Sequence, residues 1–566
     1  MPQEFVGRNG FALACEKQPA HGARGVVCSN HPMATAAGVE VLLGGGNAVD
    51  AAIATLFALP VVTPMMVGLT GGGVCHLRMA SGAHVVLDGL SAAPAAAKAD
   101  MYRPIPGSPP EDRLTEGRRN ALGALAVAVP AALPAWAQAL SAYGTWSLAD
   151  VMEPAIRLAA RGFLVTPYLS DCIGDSAEDL LRDPELGPLL LPEGTPLRPG
   201  ARLVQGACAE SLRLIAREGP AALHGGALGA RMVEALARQG GIMTLEDLAG
   251  VRTRERTPIR GTYRGLEVFG PPPPASGGVH IAQILNILEG FDIAALGFGT
   301  ADGLHLVAEA LKIAFADRAI ATADPDFVRV PIARLTSKEY AAERRTMLDM
   351  ARARSWEGDP ALGEANCTTH VTVADAEGNI VASTQTINAL FGARIAVPGT
   401  GLVCNNYMHN FDPRPGLALS VAPGKRVYSS MAPMIVLCEG APRFALGLPG
   451  GLRIFPSALQ ALLNLIDHAM PLQAALEAPR IWTMGNALEL EPAIPQAVAE
   501  ALAARGHPVK RVPTVAGGIN GISFEPDGSM TGAACWRADG SVAGIGGGLA
   551  RPGVRFTTEP NQKGFT

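Results

Sequence analysis

Residues 367 to 388 read Cys-Thr-Thr-His-Val-Thr-Val-Ala-Asp-Ala-Glu-Gly-Asn-Ile-Val-Ala-Ser-Thr-Gln-Thr-Ile-Asn, and the architecture is best inferred outward from this segment. β-Branched residues recur in two runs of alternating polarity, a pattern typical of two β-strands. Between the runs stands Ala376-Glu377-Gly378-Asn379, and its Gly and Asn are residues that hairpin turns favour. We therefore predict a β-hairpin, and its threonine hydroxyls make it the candidate active centre.

The size and composition of the chain indicate a large globular unit. Its 566 residues exceed what one simple core usually holds, so we expect two domains or one layered unit. An apolar share of 48% with 17% charged residues is enough for an ample core. The 46 basic and 51 acidic residues give a net charge of −5, and the basic residues are scattered. Nucleic-acid binding therefore receives no support.

The cysteines and the first residues of the chain indicate the cellular compartment in which the protein resides. Nine cysteines form no Cys-x-x-Cys pair and no metal-ligand spacing, so we interpret them as small buried apolar residues under reducing conditions. The first residues lack a basic region leading into an apolar run, as a signal peptide would have. Apolar stretches such as Ala51 to Val62 are too short to cross a bilayer. We expect a soluble, cytoplasmic protein without membrane partners.

The order of helical and strand patterns predicts the fold class. Helices are expected at 33–60 (two, separated by a glycine-rich break), through 145–250, and at 279–289, 301–318 and 455–468. Strands are expected at 83–88, 369–375, 380–387, 402–405, 433–438 and 443–448, with short ones near 510–548. Helices that flank two sets of strands suggest an α/β, or α+β layered, sandwich.

Three segments have irregular composition. The run Gly71-Gly72-Gly73 lacks the Lys-Ser/Thr ending of a phosphate-binding loop, and we interpret it as tight backbone packing beside a site. Residues 101–120 are rich in proline and charge and predict a surface loop. Residues 319–366 are charged and irregular, as in an exposed linker.

Thr368 has a chemical route to becoming a nucleophile. A threonine hydroxyl needs a base. If the bond between Cys367 and Thr368 is cut, the new α-amine, with a pKa of about 7.7–8.0, can take the proton from its own hydroxyl. β-Branching also restricts the side-chain rotamer and keeps the hydroxyl aimed. One residue would then act as nucleophile and base.

Several motifs along the chain carry a family resemblance. They are Gly46-Asn-Ala-Val-Asp-Ala-Ala52, Pro273-Pro-Ala-Ser-Gly-Gly278, Thr368-Thr-His370, Ser429-Ser-Met431 and Leu448-Pro-Gly-Gly451. In this order they resemble the γ-glutamyltranspeptidase family of N-terminal nucleophile hydrolases, nearly end to end.

The resemblance implies a fold, a processing step and a set of roles. It implies a proenzyme that cleaves itself before Thr368 into a large segment, 1–367, and a small segment, 368–566. The two segments would stay associated as one αββα sandwich that needs no cofactor or metal and acts on a small-molecule amide. Thr368 would be the nucleophile and Thr386 the hydroxyl that supports it. Assembly of this heterodimer into a homo-oligomer is left open.

Further binding roles follow from the same resemblance. The backbone N–H groups of Gly450 and Gly451 fall where the family builds its oxyanion hole, and glycine suits this because the main chain can approach closely. Asn388 falls at a substrate-binding asparagine. Ser429 and Ser430 match the serines that hold the substrate carboxylate.

Three substrate-binding positions depart from the family pattern. Leu90 stands where the family has the arginine that binds the α-carboxylate of the glutamyl group. Tyr407 replaces a glutamine, and Asn410 replaces the aspartate that binds the α-ammonium. Each lost charge-assisted contact costs roughly 1.5–3 kcal/mol, so γ-glutamyl binding should be much weaker. The segment from Asp412 to Tyr428 is also short for a lid, which favours hydrolysis over transfer.

These departures lead to one hypothesis and two alternatives. The leading hypothesis is a self-cleaving amide hydrolase or acyltransferase with a small non-glutamyl acyl substrate, oxamate-like or glutaryl-like. It would resemble the oxamate-amidohydrolase or cephalosporin-acylase type of the family. The alternatives are a genuine γ-glutamyltransferase acting on glutathione and an unprocessed, inactive scaffold.

Some residues near the motifs have a functional and a plain interpretation. His370 could be a general base, but a packing or hydrogen-bonding histidine is favoured. Cys367 could supply a thiol nucleophile, but a residue left behind on the large segment is favoured. Arg394 could contact an anion, but a surface arginine at a strand end is favoured. No metal is predicted, because the histidines show no ligand spacing, including His31, His76 and His409.

Overall fold

Two seven-stranded sheets form the centre of the protein. We describe them in a computed structural model, for residues 4–6, 11–109, 112–318, 322–356, 367–485 and 487–547. The first sheet has the order Ser541–Ile545, Gly25–Ser29, Cys367–Asp375, Ile380–Asn388, Gly72–Arg78, His84–Gly89 and Arg254–Arg256. The second has the order Ile259–Tyr263, Leu266–Gly270, Met434–Cys438, Ala441–Gly447, Asn520–Phe524, Met530–Ala534 and Ala20–Gly22. Neighbouring strands run antiparallel in both sheets.

Helices cover the outer face of each sheet. On the first sheet they are Pro32–Leu43, Ala48–Val62, Ala132–Tyr143, Leu148–Arg161, Pro167–Asp175, Ala177–Leu180, Leu186–Leu190, Gly206–Glu218, Ala227–Arg238 and Leu245–Ala249. On the second they are Gly277–Leu288, Ile293–Leu296, Ala301–Ala316, Lys338–Arg345, Ile454–Ile466, Leu472–Glu477 and Gln496–Ala504. Ile332–Leu335 packs on the helix Gly277–Leu288.

Smaller pairings complete the chain. They join Glu4–Val6 to Ala12–Ala14, Phe163–Leu164 to Arg202–Leu203, Ala396–Val397 to Leu402–Val403, and Ile481–Trp482 to Leu488–Leu490 and Val509–Arg511.

Three apolar layers make up most of the core of the described residues. One lies between the first sheet and its helices, and one between the second sheet and its helices. The third lies between the sheets, where Val26, Ala374 and Ala382 face Ile435 and Ile522. A helix–sheet–sheet–helix order buries both faces of each sheet. The predicted αββα sandwich is confirmed.

The central hairpin, which we define as Cys367–Asp375 and Ile380–Asn388, occupies the middle of the first sheet. Its turn is held by Asp375, whose Oδ1 accepts hydrogen bonds from Glu377 N (3.1 Å) and Asn379 N (2.9 Å). Every residue of both strands except Cys367 is buried. The reason is that helices cover one face and the second sheet covers the other.

The glycine run beside the hairpin packs as tightly as predicted. A β-carbon on Gly71 would lie 2.2 Å from the carbonyl oxygen of Thr386, and one on Gly73 would lie 2.3 Å from that of Thr384. Real β-carbons do not approach backbone oxygens so closely. Only glycine therefore lets the strand Gly72–Arg78 pair with the hairpin at this end.

Two segments predicted to be exposed are partly buried. In the predicted surface loop 101–120, Tyr102, Arg113 and Asn120 are buried, while 110 and 111 lie outside the described residues. In the predicted linker 319–366, the helix Lys338–Arg345 buries Tyr340, whose hydroxyl donates to Asp317 Oδ2 at 2.6 Å. Residues 319–321 and 357–366 lie outside the described residues. Most of the described residues of both segments are exposed or half-buried as predicted, and the buried side chains among them were missed because local charge does not reveal tertiary packing.

The structure also bears on the predictions made for the cysteines and for membrane-spanning segments. All nine thiols are free, and seven are buried as predicted, whereas Cys367 is partly buried and Cys438 is exposed. Within the described parts of the chain, none of the helices combines the length and the apolar character that crossing a bilayer requires.

Candidate active site

The Cys367–Thr368 bond lies at a β-bulge of the central hairpin. Cys367 pairs with Asn388 but Thr369 pairs with Gln385, so the register shifts across Thr368. At this point the hydroxyl of Thr386 donates a hydrogen bond to the carbonyl oxygen of Cys367 and accepts one from Asn388 N at 2.7 Å. The carbonyl of the bond that the resemblance marks for cleavage is therefore polarised by a fixed hydroxyl donor.

Asn388 is held next to this bond by a second asparagine. Its Nδ2 donates to the carbonyl oxygen and to Oδ1 of Asn406, both at 3.1 Å. The same Oδ1 accepts from Ala389 N at 2.9 Å. Asn388 has φ +86°, a left-handed conformation that asparagine tolerates better than most side chains. The side chain is 2% exposed and is thus rigidly placed at the end of the hairpin.

His370 is a hydrogen-bonding histidine, as favoured by the sequence. Its Nδ1 lies 2.8 Å from Thr384 Oγ1, and its Nε2 lies 3.0 Å from Thr372 Oγ1. Burial lowers its pKa to about 3, so the ring is neutral at physiological pH. A β-carbon on Gly447 would lie 2.3 Å from the ring, which places the end of the strand Ala441–Gly447 against the hairpin.

The loop after that strand carries Gly450 and Gly451. Both have positive φ, +145° and +54°, and a β-carbon on Gly450 would lie 2.6 Å from that of Ala516. Gly450 lines a cavity of about 570 Å³ together with Tyr168, Trp536 and other residues. Burial raises the pKa of Tyr168, and the Cys367 thiol contributes to this shift. Tyr168 and Cys367 both pack against the apolar layer between the first sheet and its helices.

A buried apolar cluster surrounds Leu90 and Tyr407. Leu90 is 2% exposed and belongs to one buried cluster with Tyr407, Met408, Phe411, Val427 and Met431. The Tyr407 hydroxyl donates to the carbonyl oxygen of Gly72 at 3.2 Å, and Gly72 pairs with Thr386. Tyr407 thus reaches the backbone of the strand that pairs with Thr386, and Leu90 packs in the same buried cluster.

Asn410, Ser429 and Ser430 form a second group. Asn410 Nδ2 donates to the carbonyl oxygen of Tyr428 at 3.2 Å, and among the described residues its buried Oδ1 has no hydrogen-bond partner. Ser430 Oγ accepts from Arg318 Nη2 at 2.7 Å. Ser429 Oγ accepts from Met431 N at 3.1 Å. The hairpin end and this serine group are joined through the segment that carries Tyr407 and Asn410.

Two buried arginines in this group were missed from the sequence. The Cζ atoms of Arg113 and Arg318 lie 5.2 Å and 5.7 Å from the ring centroid of Tyr428. Arg318 Nη1 also donates to Ser276 Oγ at 3.0 Å, so this guanidinium bridges two serines. Arg318 could have been identified from the sequence, because it is a charged residue at the end of a long apolar helix. Arg113 sits in a proline-rich, charged stretch and gives no such signal.

Two alternatives considered for Arg394 and Cys367, an anion contact and a thiol nucleophile, are not favoured by the structure. Arg394 is not a plain surface arginine, because it pairs with buried Asp179 and its side chain is 19% exposed. This ion pair also occupies the guanidinium that could have bound a substrate anion. Burial raises the pKa of the Cys367 thiol to about 12, which disfavours a thiolate nucleophile.

One buried cluster has metal-ligand chemistry. Atoms of His305, Glu309 and His507 lie within 4.8 Å of one another. Glu309 already accepts hydrogen bonds from Lys312 Nζ (2.8 Å) and Trp356 Nε1 (3.1 Å), and His305 Nδ1 lies 2.7 Å from His507 Nε2. Because an ammonium group stands where a cation would bind, we interpret the cluster as a structural network.

The other candidate histidines are engaged elsewhere. His31 Nδ1 accepts from Met33 N at 3.2 Å and caps the helix Pro32–Leu43, and His76 Nε2 lies 2.9 Å from His84 Nε2. For His409, burial and the charge of Arg113 lower the pKa to about 4.

Known sequences are similar to this chain over most of its length. The sequence model of the gamma-glutamyltranspeptidase family matches residues 34–545. Acylase ACY 1 proenzyme of Pseudomonas sp. (strain SE83) is 62% identical over 545 residues, which cover 96% of this chain and 98% of the relative. Glutathione hydrolase proenzyme of Escherichia coli (strain K12) is 38% identical over 533 residues, 91% and 90% of the two chains.

Solved structures of proteins with related names have a similar fold. Cephalosporin acylase from Bacillus halodurans superposes with a TM-score of 0.85 at 30% identity, covering 95% of this chain and 98% of the other. γ-Glutamyltranspeptidase from Helicobacter pylori gives a TM-score of 0.54 at 34% identity, over 57% and 90% of the two chains. The chain therefore belongs to the gamma-glutamyltranspeptidase family and is an N-terminal nucleophile amidohydrolase or acyltransferase.

Proposed function

We propose that this protein cuts its own Cys367–Thr368 bond and then hydrolyses small acyl amides through an acyl ester on Thr368. The observation that carries the proposal is the hydrogen bond from the Thr386 hydroxyl to the carbonyl oxygen of Cys367. A donor at this oxygen stabilises the negative charge that develops there when Thr368 attacks.

The processing step proceeds as an acyl shift. Thr368 Oγ attacks the carbonyl carbon of Cys367, the carbon–nitrogen bond breaks, and the nitrogen takes the hydroxyl proton. The ester that forms is then hydrolysed by water. The products are a carboxylate at Cys367 and a free α-amine at Thr368.

The two products, 1–367 and 368–566, would stay together because they share one sheet. The central hairpin, from the small segment, pairs with Gly25–Ser29 on one side and with Gly72–Arg78 on the other. Both of these strands belong to the large segment. Separation would expose the backbone groups of all four strands, which is costly.

Turnover reuses the same groups. The α-amine of Thr368 takes the proton from its hydroxyl, and Oγ attacks the substrate amide carbon. The oxyanion receives hydrogen bonds from the N–H groups of Gly450 and Gly451 in this proposal. The amine product leaves with the proton, and water then hydrolyses the acyl ester and regenerates Thr368.

The proposed acyl group is small, bears one carboxylate and is not glutamyl. Leu90 and Tyr407 are part of an apolar cluster, and Asn410 supplies a neutral amide in place of a carboxylate for an α-ammonium. A zwitterionic glutamyl head would lose two charged contacts there. The 62% identical relative is named an acylase, and the neighbour with a TM-score of 0.85 is a cephalosporin acylase, which supports this acyl specificity.

A two-part experiment tests the proposal. Denaturing gels of the purified protein should show two bands in place of one at 58.5 kDa, with the small fragment beginning at Thr368 by N-terminal sequencing. Release of nitroaniline should be faster from a glutaryl anilide than from a γ-glutamyl anilide. Thr368→Ala should abolish both cleavage and release.

The alternatives give different results. A single band without activity indicates an inactive scaffold. Fast turnover of the γ-glutamyl anilide alone indicates a genuine γ-glutamyltransferase. Cleavage that survives Thr368→Ala contradicts the mechanism.

A further inference from the structure

The cavity beside Gly450 has the size of a ligand pocket. Its volume is about 570 Å³, and its lining comes from several segments of the chain, with Tyr168, Gly450, Ala516, Trp536 and Asp539 among the residues. Pockets that bind small molecules have volumes of about 300–1,000 Å³. Ammonia or methylamine would leave most of this space empty, whereas an amine that carries a ring has a suitable size.

The first sheet places Asp539 near the end of the central hairpin where cleavage is proposed. Ser541 pairs with Ser29, and Ser29 pairs with Val371. Both pairings are antiparallel, so the same register carried two residues further sets Asp539 level with Thr369, two strands away. This separation is about 10 Å.

The second sheet brings Gly450 to the same end. Gly447 is the last residue of its strand, and a β-carbon on it would lie 2.3 Å from the ring of His370. Ala445, two residues earlier, packs between the sheets in one cluster with Ala374, which lies further along the hairpin strand. The strand therefore runs towards the proposed cleavage point, and Gly450 comes three residues beyond its end.

The cavity and Leu90 lie on opposite sides of the hairpin. Asp539 precedes Ser541–Ile545, which is the second strand to one side, and Leu90 follows His84–Gly89, which is the second strand to the other side. In the proposed function the acyl group binds on the Leu90 side. Because the two halves of a trans amide extend in opposite directions, the amine half is then directed towards the cavity.

Two aromatic side chains give the cavity flat apolar surface. Tyr168 and Trp536 both line it and are half-buried. The guanidinium of Arg537 lies over the ring of Trp536, with 4.4 Å between Cζ and the ring centroid, and is itself held by an ion pair with buried Glu491. The indole is thus fixed from one side, and its remaining surface can pack against a ring of the ligand.

We infer that this cavity binds the amine half of the substrate, and that this half carries a planar ring which packs on Trp536. The inference rests on the function proposed above and names its substrate class further: acyl amides of a ring-bearing amine, in contrast to simple amides such as oxamate.

The cavity then acts in one step of the reaction. Thr368 Oγ attacks the amide carbon, the carbon–nitrogen bond breaks, and the nitrogen receives the hydroxyl proton through the α-amine of Thr368. The ring amine leaves through the cavity. The acyl group stays on Thr368, so the cavity contributes to formation of the acyl ester and not to its hydrolysis.

The test uses two glutaryl amides that differ in the ring. Glutaryl benzylamide carries a phenyl group, and glutaryl methylamide has a hydrogen in its place. Both release a basic alkylamine and leave the same acyl ester on Thr368. In the wild type, kcat/KM measured by glutarate release should be about 10- to 150-fold higher for the benzylamide, because a ring is buried. In Trp536→Ala this ratio should fall about 5- to 20-fold, whereas Trp536→Phe should keep most of it.

Trp146→Ala is the matched control. Trp146 is also half-buried, but it packs on the helical side of the first sheet and does not line the cavity. Its variant should keep the wild-type ratio. Benzylamine should inhibit Trp536→Ala about 5- to 20-fold more weakly than the wild type, while inhibition by glutarate stays the same. Denaturing gels confirm that each variant is processed, and if Trp536→Ala fails to fold, the ratio in Trp536→Leu decides.

Two results overturn the inference alone. They are equal kcat/KM values of the wild type for the two amides, and equal losses on both amides in a processed Trp536→Ala, which indicate a structural role. If the wild type hydrolyses only γ-glutamyl amides, the proposed acyl specificity fails, and γ-glutamyl benzylamide and methylamide then test the cavity in the same way. If it hydrolyses neither class, the proposed function and this inference fail together.

Discussion

Replacement of Thr386 by valine is the most direct test of the processing geometry. The Thr386 hydroxyl donates to the carbonyl oxygen of Cys367 and accepts from Asn388 N at 2.7 Å. Valine keeps the β-branched shape and removes both hydrogen bonds. The change therefore alters the chemistry of the hairpin end while its packing is largely retained.

The size of the effect follows from these two bonds. Loss of one donor to a developing oxyanion slows a reaction about 10²- to 10³-fold, and we expect self-cleavage of Thr386→Val to slow by that factor. Asn388 N–H also loses its acceptor in a buried place, which costs about 1–3 kcal/mol of the free energy of unfolding. The hydroxyl of Thr386→Ser should restore most of the rate.

The assay is a time course of cleavage after a short pulse of cell-free synthesis, followed on denaturing gels. Thr384→Val is the matched control, because it also loses a buried hydrogen bond, from Thr384 Oγ1 to His370 Nδ1 at 2.8 Å. It lies on the same strand but makes no contact with the Cys367 carbonyl in our description of the hairpin. If Thr386→Val matures as fast as Thr384→Val, the proposed polarisation of the Cys367 carbonyl is wrong.

Two further predictions concern stability. Burial lowers the pKa of His370 from 6.5 to about 3, so between these values the unfolded chain binds a proton that the folded chain does not. This group should therefore lower the free energy of unfolding as the pH drops, by up to about 1.4 kcal/mol per pH unit. In chemical denaturation, the free energy of unfolding of His370→Gln should depend less steeply on pH than that of the wild type. An equal slope for the two proteins would contradict a lowered pKa for His370. Glu491 pairs with Arg537, and the two side chains are only 3% and 1% exposed, so Glu491→Gln should lower the free energy of unfolding by about 3–5 kcal/mol in calorimetry. Glu234→Gln, in an exposed pair, should cost at most about 1 kcal/mol, and a similar loss in both variants would refute the distinction.

Local features of the fold were predictable because their causes are local. The hairpin was predicted at 369–375 and 380–387 and spans Cys367–Asp375 and Ile380–Asn388. The helix after the glycine-rich break begins at Ala48, because Asn47 and Asp50 form a capping box. Periodicity and turn chemistry depend on neighbours a few positions away, and one sequence is enough to identify them.

The residues of the candidate site were proposed from motifs, whereas the contacts among them depend on tertiary packing. Thr368, Thr386 and Gly450 were named from motifs. Their hydrogen bonds and backbone angles, including the contact to the Cys367 carbonyl, required coordinates. Arg394 was considered for an anion contact, but its pairing with Asp179 depends on a helical segment far away in the sequence.

The sequence alone was sufficient for the sandwich and the hairpin, because each depends on short-range patterns or on motifs in a set order. The same motifs led to the proposal that Thr368 is the nucleophile. Only the tertiary structure revealed that Arg113 is buried against Tyr428, and that Leu90 shares an apolar cluster with Tyr407. The residues in each of these contacts are hundreds of positions apart. Charge and hydrophobicity along the chain do not encode which distant loops pack together, so these contacts emerged only from the packed structure.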